Sequence, residues 1–332
     1  MLVNKALVKN LRIAVLMGGR SSEREISLKS GRAVYQTLKD ADCKVWPFDI
    51  TEEDPDKIIS GLKEIDADLA FIAMHGSFGE DGTLQEILES AEIPYTGSGP
   101  RASRLAMDKI ASRGVFKRQN IPVPGCLVFE DSLFSKIDLD ELDFLGLPLV
   151  VKPAGAGSSI GVSFVMRKEE LLPAVELAFS HGRRIIIEEC LKGREITVGI
   201  LSNEPLPVIE VVPKLEFFNF QAKYTPGLTD YIVPAKLDPR IAKNAQDIAL
   251  LAHESLGCRT FSRVDMILKE DTPYVLEINT IPGFTQTSLL PKAAAFKNIS
   301  FLDLCLKVIS LSVVPHFIKK NEKESINLKS GF

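Results

Sequence analysis

The chain has no CxxC pair, no long apolar run and no marked excess of one charge, and each absence removes a class of function. Its five cysteines (Cys43, Cys126, Cys190, Cys258, Cys305) are odd in number and scattered. Neither a thiolate zinc site nor a disulfide framework is expected, and the thiols read as reduced, as in the cytosol. No segment approaches the roughly 18 apolar residues of a membrane helix. The opening MLVNKALVKN is too short and too weakly apolar for a secretory signal. A net charge of −4 with both signs interspersed gives no footprint for nucleic acid or an anionic membrane. The glycine-rich run Ala154–Gly161 lacks the GK[ST] ending of a P-loop, and Ile160 stands where a dinucleotide fingerprint needs glycine. No internal repeat is found. A soluble, cytoplasmic protein is expected.

What is present is an α/β chain. Its 332 residues correspond to about two to three domains. Arg12–Met17 reads as a strand, followed by Gly18-Gly19 and a helical pattern to Lys39, with Ser22 and Glu25 at capping-box spacing. Lys44–Phe48 and Leu69–Met74 read as strands, Pro55–Leu62 and Leu84–Ser90 as helices. This alternation predicts a parallel sheet covered on both faces, with ligands taken by the loops after the strands. Two loops qualify, Gly18–Ser22 and His75–Gly82. Glu23 in a first helical turn is favourable against the helix dipole whether or not it binds a ligand, and His75 is either a site residue or a satisfied turn histidine. Gly97–Pro100 marks a boundary, and Ser103–Arg118 reads as one helix containing Lys109. Phe144–Lys152 and Val162–Met166 flank the glycine run as strands, and such a turn can lay backbone N–H groups over phosphates. Three further strands are expected at Arg184–Glu189, Glu195–Leu201 and Val208–Val212. The aperiodic Phe217–Val233 reads as a long loop, Arg240–Gly257 as a helix, and Lys292–Phe296 and Phe301–Val313 as helices before a charged tail.

The chain is organised around Arg263–Leu289. Two β-type runs, Arg263–Leu268 and Tyr274–Asn279, flank a polar turn at Lys269–Pro273, a hairpin pattern that sets Asp265 opposite Glu277. Side chains alternate across a strand, so Glu277 and Asn279 share a face, with Arg263 two residues before Asp265. An all-oxygen set of this kind suits Mg²⁺. A solvated acidic face of the hairpin is the alternative.

Set side by side, GGRSSEREISL, HGSFGEDGTLQ, PYTGSG, MDKIASR, VVKPAGAGSSIGV, IEECLKGREITV, AKYTPG, RVDMIL and LEINTIPGFTQTSLLP resemble the ATP-grasp ligases, specifically the D-alanine–D-alanine ligase family. The resemblance runs in family order from Arg12 to Phe317. It implies three α/β units, at 1–98 (Rossmann-like parallel sheet), 99–188 and 189–318, and a flexible tail at 319–332. It implies ligation of two D-alanine molecules, driven by ATP through an acyl phosphate, in peptidoglycan synthesis, with two Mg²⁺ ions (or Mn²⁺) and a homodimeric assembly.

Residue by residue, the resemblance assigns Lys109, Lys152, Gly155, Gly157, Ser158, Ser159 and Lys223 to ATP, mostly at its phosphates. Glu188, Glu189 and Leu191 are assigned to adenine and Glu195 to ribose. Asp265, Glu277 and Asn279 are the implied metal ligands. Glu23 would bind the first ammonium, hydrogen-bonded with Ser158 and Tyr224. Arg263 and the Gly283 N–H would face the oxyanion, Ser288 and Leu289 the second carboxylate, and His75 the amino-acid pocket. Cys190, Ala156, Glu86, Phe218 and Phe220 depart from common family choices, which bears on nucleotide affinity and the lid. Two other readings are a ligase joining D-alanine to D-serine or D-lactate, and a non-catalytic nucleotide-binding protein of the same fold. Tyr224 counts against D-lactate, and the complete Arg263/Asp265/Glu277/Asn279 set counts against the non-catalytic protein.

Overall fold

A computed structural model of the chain describes residues 5–130, 142, 144–155, 157, 160–214 and 228–313. The expectations for Ala156, Ser158, Ser159, Phe218, Phe220, Lys223 and Tyr224, and for the tail 319–332, fall outside the described residues.

After a short helix α1 (Lys5–Asn10), the first sheet has the order β2-β1-β3, from β1 (Ile13–Gly18), β2 (Val45–Ile50) and β3 (Leu69–Ile72), all parallel. Every residue of β1 is buried, as a central parallel strand sandwiched between helices must be. The edge position of β2 accommodates Pro47, which has no N–H to give a further neighbour. Helix α2 (Arg24–Asp40) packs Val34 and Leu38 on one face, while α3 (Pro55–Glu64) and α4 (Thr83–Ser90) pack Ile58, Leu62, Leu84 and Leu88 on the other. The Ser22 capping box is not formed. Helix α2 begins at Arg24 with Glu23 as N-cap, and no side chain caps it. The Ser21 hydroxyl instead accepts the Glu23 N–H at 3.2 Å and donates to the His75 carbonyl.

The single helix expected over Ser103–Arg118 is two, α5 (Pro100–Met107) and α6 (Lys109–Arg118). Asp108 breaks it with extended backbone, and its carboxylate accepts the Ile110 and Ala111 N–H groups at 3.0 Å. A side chain that caps the next helix so well favours a fresh start over continuation. Both helices bury Ala102, Ala106 and Phe116 in the core of the last sheet, with Ile196 and Val198.

The second sheet is antiparallel, β4-β7-β5-β6, from β4 (Cys126–Glu130), β5 (Leu149–Pro153), β6 (Ser163–Val165) and β7 (Arg184–Glu189), covered by α7 (Leu171–Phe179). The third runs β11-β10-β8-β12-β13, with β9 (Glu204–Pro205) paired to β8 (Arg194–Leu201). Its other strands are β10 (Ile209–Pro213), β11 (Thr229–Ile232), β12 (Phe261–Lys269) and β13 (Thr272–Asn279). Strand β11 corrects the loop expected over Phe217–Val233, whose end pairs with β10 from Thr229 onward. Helix α8 (Pro239–Ser255) covers this sheet, with Asp238 as N-cap and Pro239 at its first position. Helices α9 (Leu289–Phe296) and α10 (301–313) turn back onto the first sheet, where Leu290, Ala293, Leu304 and Ile309 join the Val15 and Phe71 core. All five cysteines are free thiols, and burial pushes Cys258 up to about 12. Among the described residues no helix is long and apolar enough to cross a membrane.

One buried titratable group outside the cleft affects stability. His253 on α8 is fully buried, with Nδ1 2.7 Å from the Ser262 hydroxyl and no partner at Nε2 among the described residues. Burial holds its pKa down to about 4, against ~6.5 in an unfolded chain. The fold favours the neutral ring. Its contribution is therefore complete above pH ~6.5 and is lost as pH falls toward 4, because the unfolded chain takes the proton first, up to about 3 kcal/mol. Urea midpoints between pH 7.5 and 4.5 should fall more steeply for wild type than for His253→Asn. Parallel profiles would refute the assignment.

Candidate active site

The central hairpin forms in the expected register, Arg263 opposite Asn279 and Asp265 opposite Glu277. A bulge follows between Asp265 and Met266, and the turn narrows to Glu270-Asp271, so Thr272 and Pro273 belong to the strand rather than the turn. Strand β13 is the sheet edge, where proline is tolerated. Directly opposed carboxylates repel, and here each is held by a cation. Arg263 forks onto Asp265, Nε to Oδ1 at 2.8 Å and an Nη to Oδ2 at 2.6 Å. The Thr197 hydroxyl donates to Asp265 Oδ1 at 2.6 Å. Glu277 takes the Lys109 ammonium at 3.1 Å. The Asn279 amide oxygen accepts the Ile281 N–H at 2.9 Å and retains a second lone pair.

Lys109 reaches this point because α6 restarts at it. Its N–H donates to the Ala154 carbonyl at 3.0 Å, joining the helix to the end of β5. Lys152 on β5 is buried and pairs with Glu188 Oε1 at 2.5 Å. Burial draws its ammonium below the ordinary value, against the pull of Glu188. The other Glu188 oxygen pairs with Arg113, a buried residue that motif reading passed over. Arg113 lies four positions after Lys109 on one helix, a spacing that could have drawn attention to it. Glu189 accepts the Gly125 N–H at 2.8 Å.

These groups line one end of a cleft of about 710 Å³ between the second and third sheets, a size ordinary for a small-molecule site. Lys109, Lys152, Glu188, Glu189, Leu191 and Glu195 all face it, with Asp265 and Glu277. Apolar walls come from Val150, Phe164, Met166 and Ile267.

A second cluster lies at the first sheet's strand ends. Glu23 is buried, and its Oε2 is 2.8 Å from where a Cβ on Gly76 would sit and 3.4 Å from one on Gly157. The glycine run thus reaches Glu23. His75 is also buried, with Nε2 2.9 Å from the Ser30 hydroxyl and Nδ1 3.0 Å from the Ile281 carbonyl. A carbonyl only accepts, so Nδ1 carries the proton and Nε2 accepts from Ser30. Both ring nitrogens are engaged inside the protein, which makes His75 a tie between α2 and the segment after β13. The Ser30 oxygen also accepts the Phe284 N–H at 3.2 Å. Glu80 stands 3.6 Å from His75, and burial raises its pKa, with Glu23 adding to the effect. Ser288 is the N-cap residue of α9, its hydroxyl held by Thr285, and a Cβ on Gly283 would lie 3.0 Å from it.

An antiparallel sheet pair enclosing such a cleft, with lysines from one side and hairpin acids from the other, defines an ATP-grasp ligase. The chain belongs to the D-alanine–D-alanine ligase family: the model described as D-ala D-ala ligase C-terminus matches residues 115–310, and its N-terminus counterpart matches 12–56 and 53–98. It is 42% identical over 312 residues to the D-alanine–D-alanine ligase of Desulforamulus reducens, covering 91% of this chain and 99% of the relative. It is 44% identical over 299 residues to that of Syntrophotalea carbinolica, covering 90% and 95%. The crystal structure of the Bacillus anthracis D-alanine–D-alanine ligase complexed with ATP superposes with TM-score 0.82 at 35% identity, covering 93% and 99% of the two chains. That of the VanG D-Ala:D-Ser ligase from Enterococcus faecalis superposes with TM-score 0.79 at 32% identity, covering 92% and 100%.

Gly76 has φ +77° and no room for a Cβ beside Glu23 and Ser21. Gly76→Ala is expected to cost about 1–2 kcal/mol from the left-handed backbone alone and to displace Glu23. Urea denaturation reads the first effect, and an undiminished midpoint would contradict it.

Proposed function

We propose that the protein joins two D-alanine molecules into D-alanyl-D-alanine, converting ATP to ADP and phosphate, and so supplies a peptidoglycan precursor. The observation that carries this reading is the register pair Asp265–Glu277, flanked by Arg263 and Lys109 at the mouth of the cleft. In the first step a carboxylate oxygen of one D-alanine attacks the γ-phosphorus, the bond to the β-phosphate oxygen breaks, and an acyl phosphate and ADP result. In the second, the neutral amine of the other D-alanine attacks the acyl carbon. The tetrahedral oxyanion collapses, phosphate leaves, and the amine proton is lost.

The protein contributes positioning, charge balance and exclusion of water from a hydrolysable acyl phosphate. Lys109 and Lys152 hold phosphate oxygens. Glu188, Glu189 and Leu191 receive adenine and Glu195 the ribose, with Glu188 also paired to Lys152. Glu23 takes the first ammonium, and Gly155 and Gly157 belong to the loop over the phosphates. Arg263 and the Gly283 N–H face the oxyanion, and Ser288 with Leu289 the second carboxylate. Ser158, Ser159, Lys223 and Tyr224 keep the roles the resemblance gives them.

The donor set fits Mg²⁺. Asp265 and Glu277 share one register pair and Asn279 lies two residues on along the same strand face, although among the described residues no three His, Cys, Asp or Glu side chains form a cage. Six carboxylates and four cationic side chains line the cleft, and Arg113 and Arg263 pair with two of those carboxylates, so the lining offers a polyanion no excess of positive charge. Asp265, Glu277 and Asn279 would hold the metal, which supplies charge neutralisation at the phosphate oxygens. Unit limits near 98 and 188, a homodimeric assembly and a cytoplasmic location complete the reading. A D-serine-specific variant of the same chemistry is the second reading, supported by the likeness to the VanG D-Ala:D-Ser ligase.

Phosphate release, with and without D-alanine, and dipeptide formation with D-alanine or D-serine test the function. Release independent of any D-amino acid, or preference for D-serine, would reject the primary reading. Glu277→Gln should abolish turnover while leaving the melting temperature near wild type, and wild-type turnover at ordinary Mg²⁺ would remove the metal assignment. Arg263→Ala should lower kcat by roughly 10²–10³, the range for losing one oxyanion donor, with little change in the KM for ATP. Loss confined to ATP affinity would reassign Arg263 to phosphate binding.

A further inference from the structure

Behind the cleft lies a buried carboxylate shared by two cations. Arg113 is 3% exposed and does not line the cleft, whereas Glu188 and Lys152 do. The guanidinium is fixed from the helix side, one Nη donating to the Pro124 carbonyl at 3.0 Å and the other paired with Glu188 Oε2. Its Nε has no hydrogen-bond partner among the described residues. Glu188 Oε1 takes Lys152 Nζ at 2.5 Å. One carboxylate neutralises one cation, so the triad keeps a formal unit of positive charge. An uncompensated buried charge is costly, and Lys109 adds a second repulsion on Lys152. Among the described residues, the triad opens onto the cleft through Lys152 and Glu188, which line it.

We propose that Arg113 is a positioning residue that keeps Lys152 electrostatically available to polyphosphate. By sharing Glu188 from behind, it prevents that carboxylate from fully neutralising Lys152, and the residual charge points into the cleft. The role rests on the cleft being the ATP site, and it deepens that reading by assigning a residue that never touches the nucleotide. It also explains the two-sided use of Glu188, whose oxygens are divided between a cation facing the ligand and one facing the helix.

The test compares wild type, Arg113→Lys, Arg113→Met and Arg113→Met/Glu188→Gln. Calorimetric titration with Mg-tripolyphosphate, which has no base or ribose, reports anion affinity, and steady-state kinetics give KM for ATP, KM for D-alanine and kcat. In Arg113→Met, Glu188 and Lys152 form a self-neutralising pair. Tripolyphosphate affinity is then expected to fall about tenfold and the KM for ATP to rise about tenfold, with the KM for D-alanine within twofold. Arg113→Lys keeps the charge and should stay within threefold of wild type. The double variant removes the neutralising carboxylate as well and should recover at least threefold of the lost tripolyphosphate affinity. A purely structural role predicts no such recovery. Unchanged affinity in Arg113→Met, a double variant no better than the single, or an equal rise in the KM for D-alanine overturns the proposal. Should Arg113→Met lack a cooperative melt, Glu188→Gln alone decides: tripolyphosphate must bind at least as tightly as to wild type, and any weakening overturns the proposal. Failure of wild type to bind ATP or form dipeptide would instead reject the functional reading, a result distinct from wild-type-like behaviour of the Arg113 variants.

Discussion

Two carboxylates set opposite one another on neighbouring strands would push a hairpin apart unless cations answered them. Asp265 and Glu277 are in that position, and much of the surrounding structure is the answer. Arg263 comes from the same strand two residues earlier, where alternation returns it to the same face. Thr197 comes from the adjacent strand at the matching register. Lys109 comes from α6, and only because Asp108 interrupts the helix and starts a new one there. Without that break the lysine would continue the rotation of α5. Its N–H would then have a helical acceptor in place of the Ala154 carbonyl.

The first sheet is coupled to this hairpin by a small polar knot. Ser30 on α2, His75 after β3, and Ile281 and Phe284 after β13 are joined by three hydrogen bonds in a buried region. The Phe284 ring packs against Phe71 at 5.4 Å and Phe261 at 5.7 Å. Aromatic burial of this kind fixes the loop that carries Gly283 and Ser288 relative to Glu23. Residues far apart in the chain thus meet at one place because a core, rather than a flexible lid, positions them.

Much of this was legible in the sequence. The hairpin register followed from the turn residues and strand alternation, and the parallel sheet from spacing of apolar runs. The bulge after Asp265 was not, since a one-residue irregularity leaves no mark in a period-two pattern. The break at Asp108 was missed because the apolar spacing runs on from Ala102 to Phe116. A capping aspartate within that pattern competes with it through hydrogen bonds alone. Strand β4 and helix α7 lacked strong boundaries. Arg113 and Glu80 were overlooked because a buried charge looks like a surface charge until the partner that permits its burial is known. Assignments to Ser158, Ser159, Lys223 and Tyr224 concern residues outside those described.

The two ends of the site differ in what ligand binding must rearrange. At the proposed amino-acid end, His75, Ser30 and the 281–284 backbone are satisfied by one another and need not move. At the proposed nucleotide end, Lys109 and Lys152 hold Glu277 and Glu188, so phosphate oxygens would compete with those carboxylates for the same ammonium groups. Each exchange trades one charge-assisted contact for another, and its net value is a small difference between large terms. Charge that is shared rather than fully matched tips such a difference toward the ligand. In the proposed reading, the distribution of carboxylates around the lysines is as consequential for nucleotide binding as the lysines themselves.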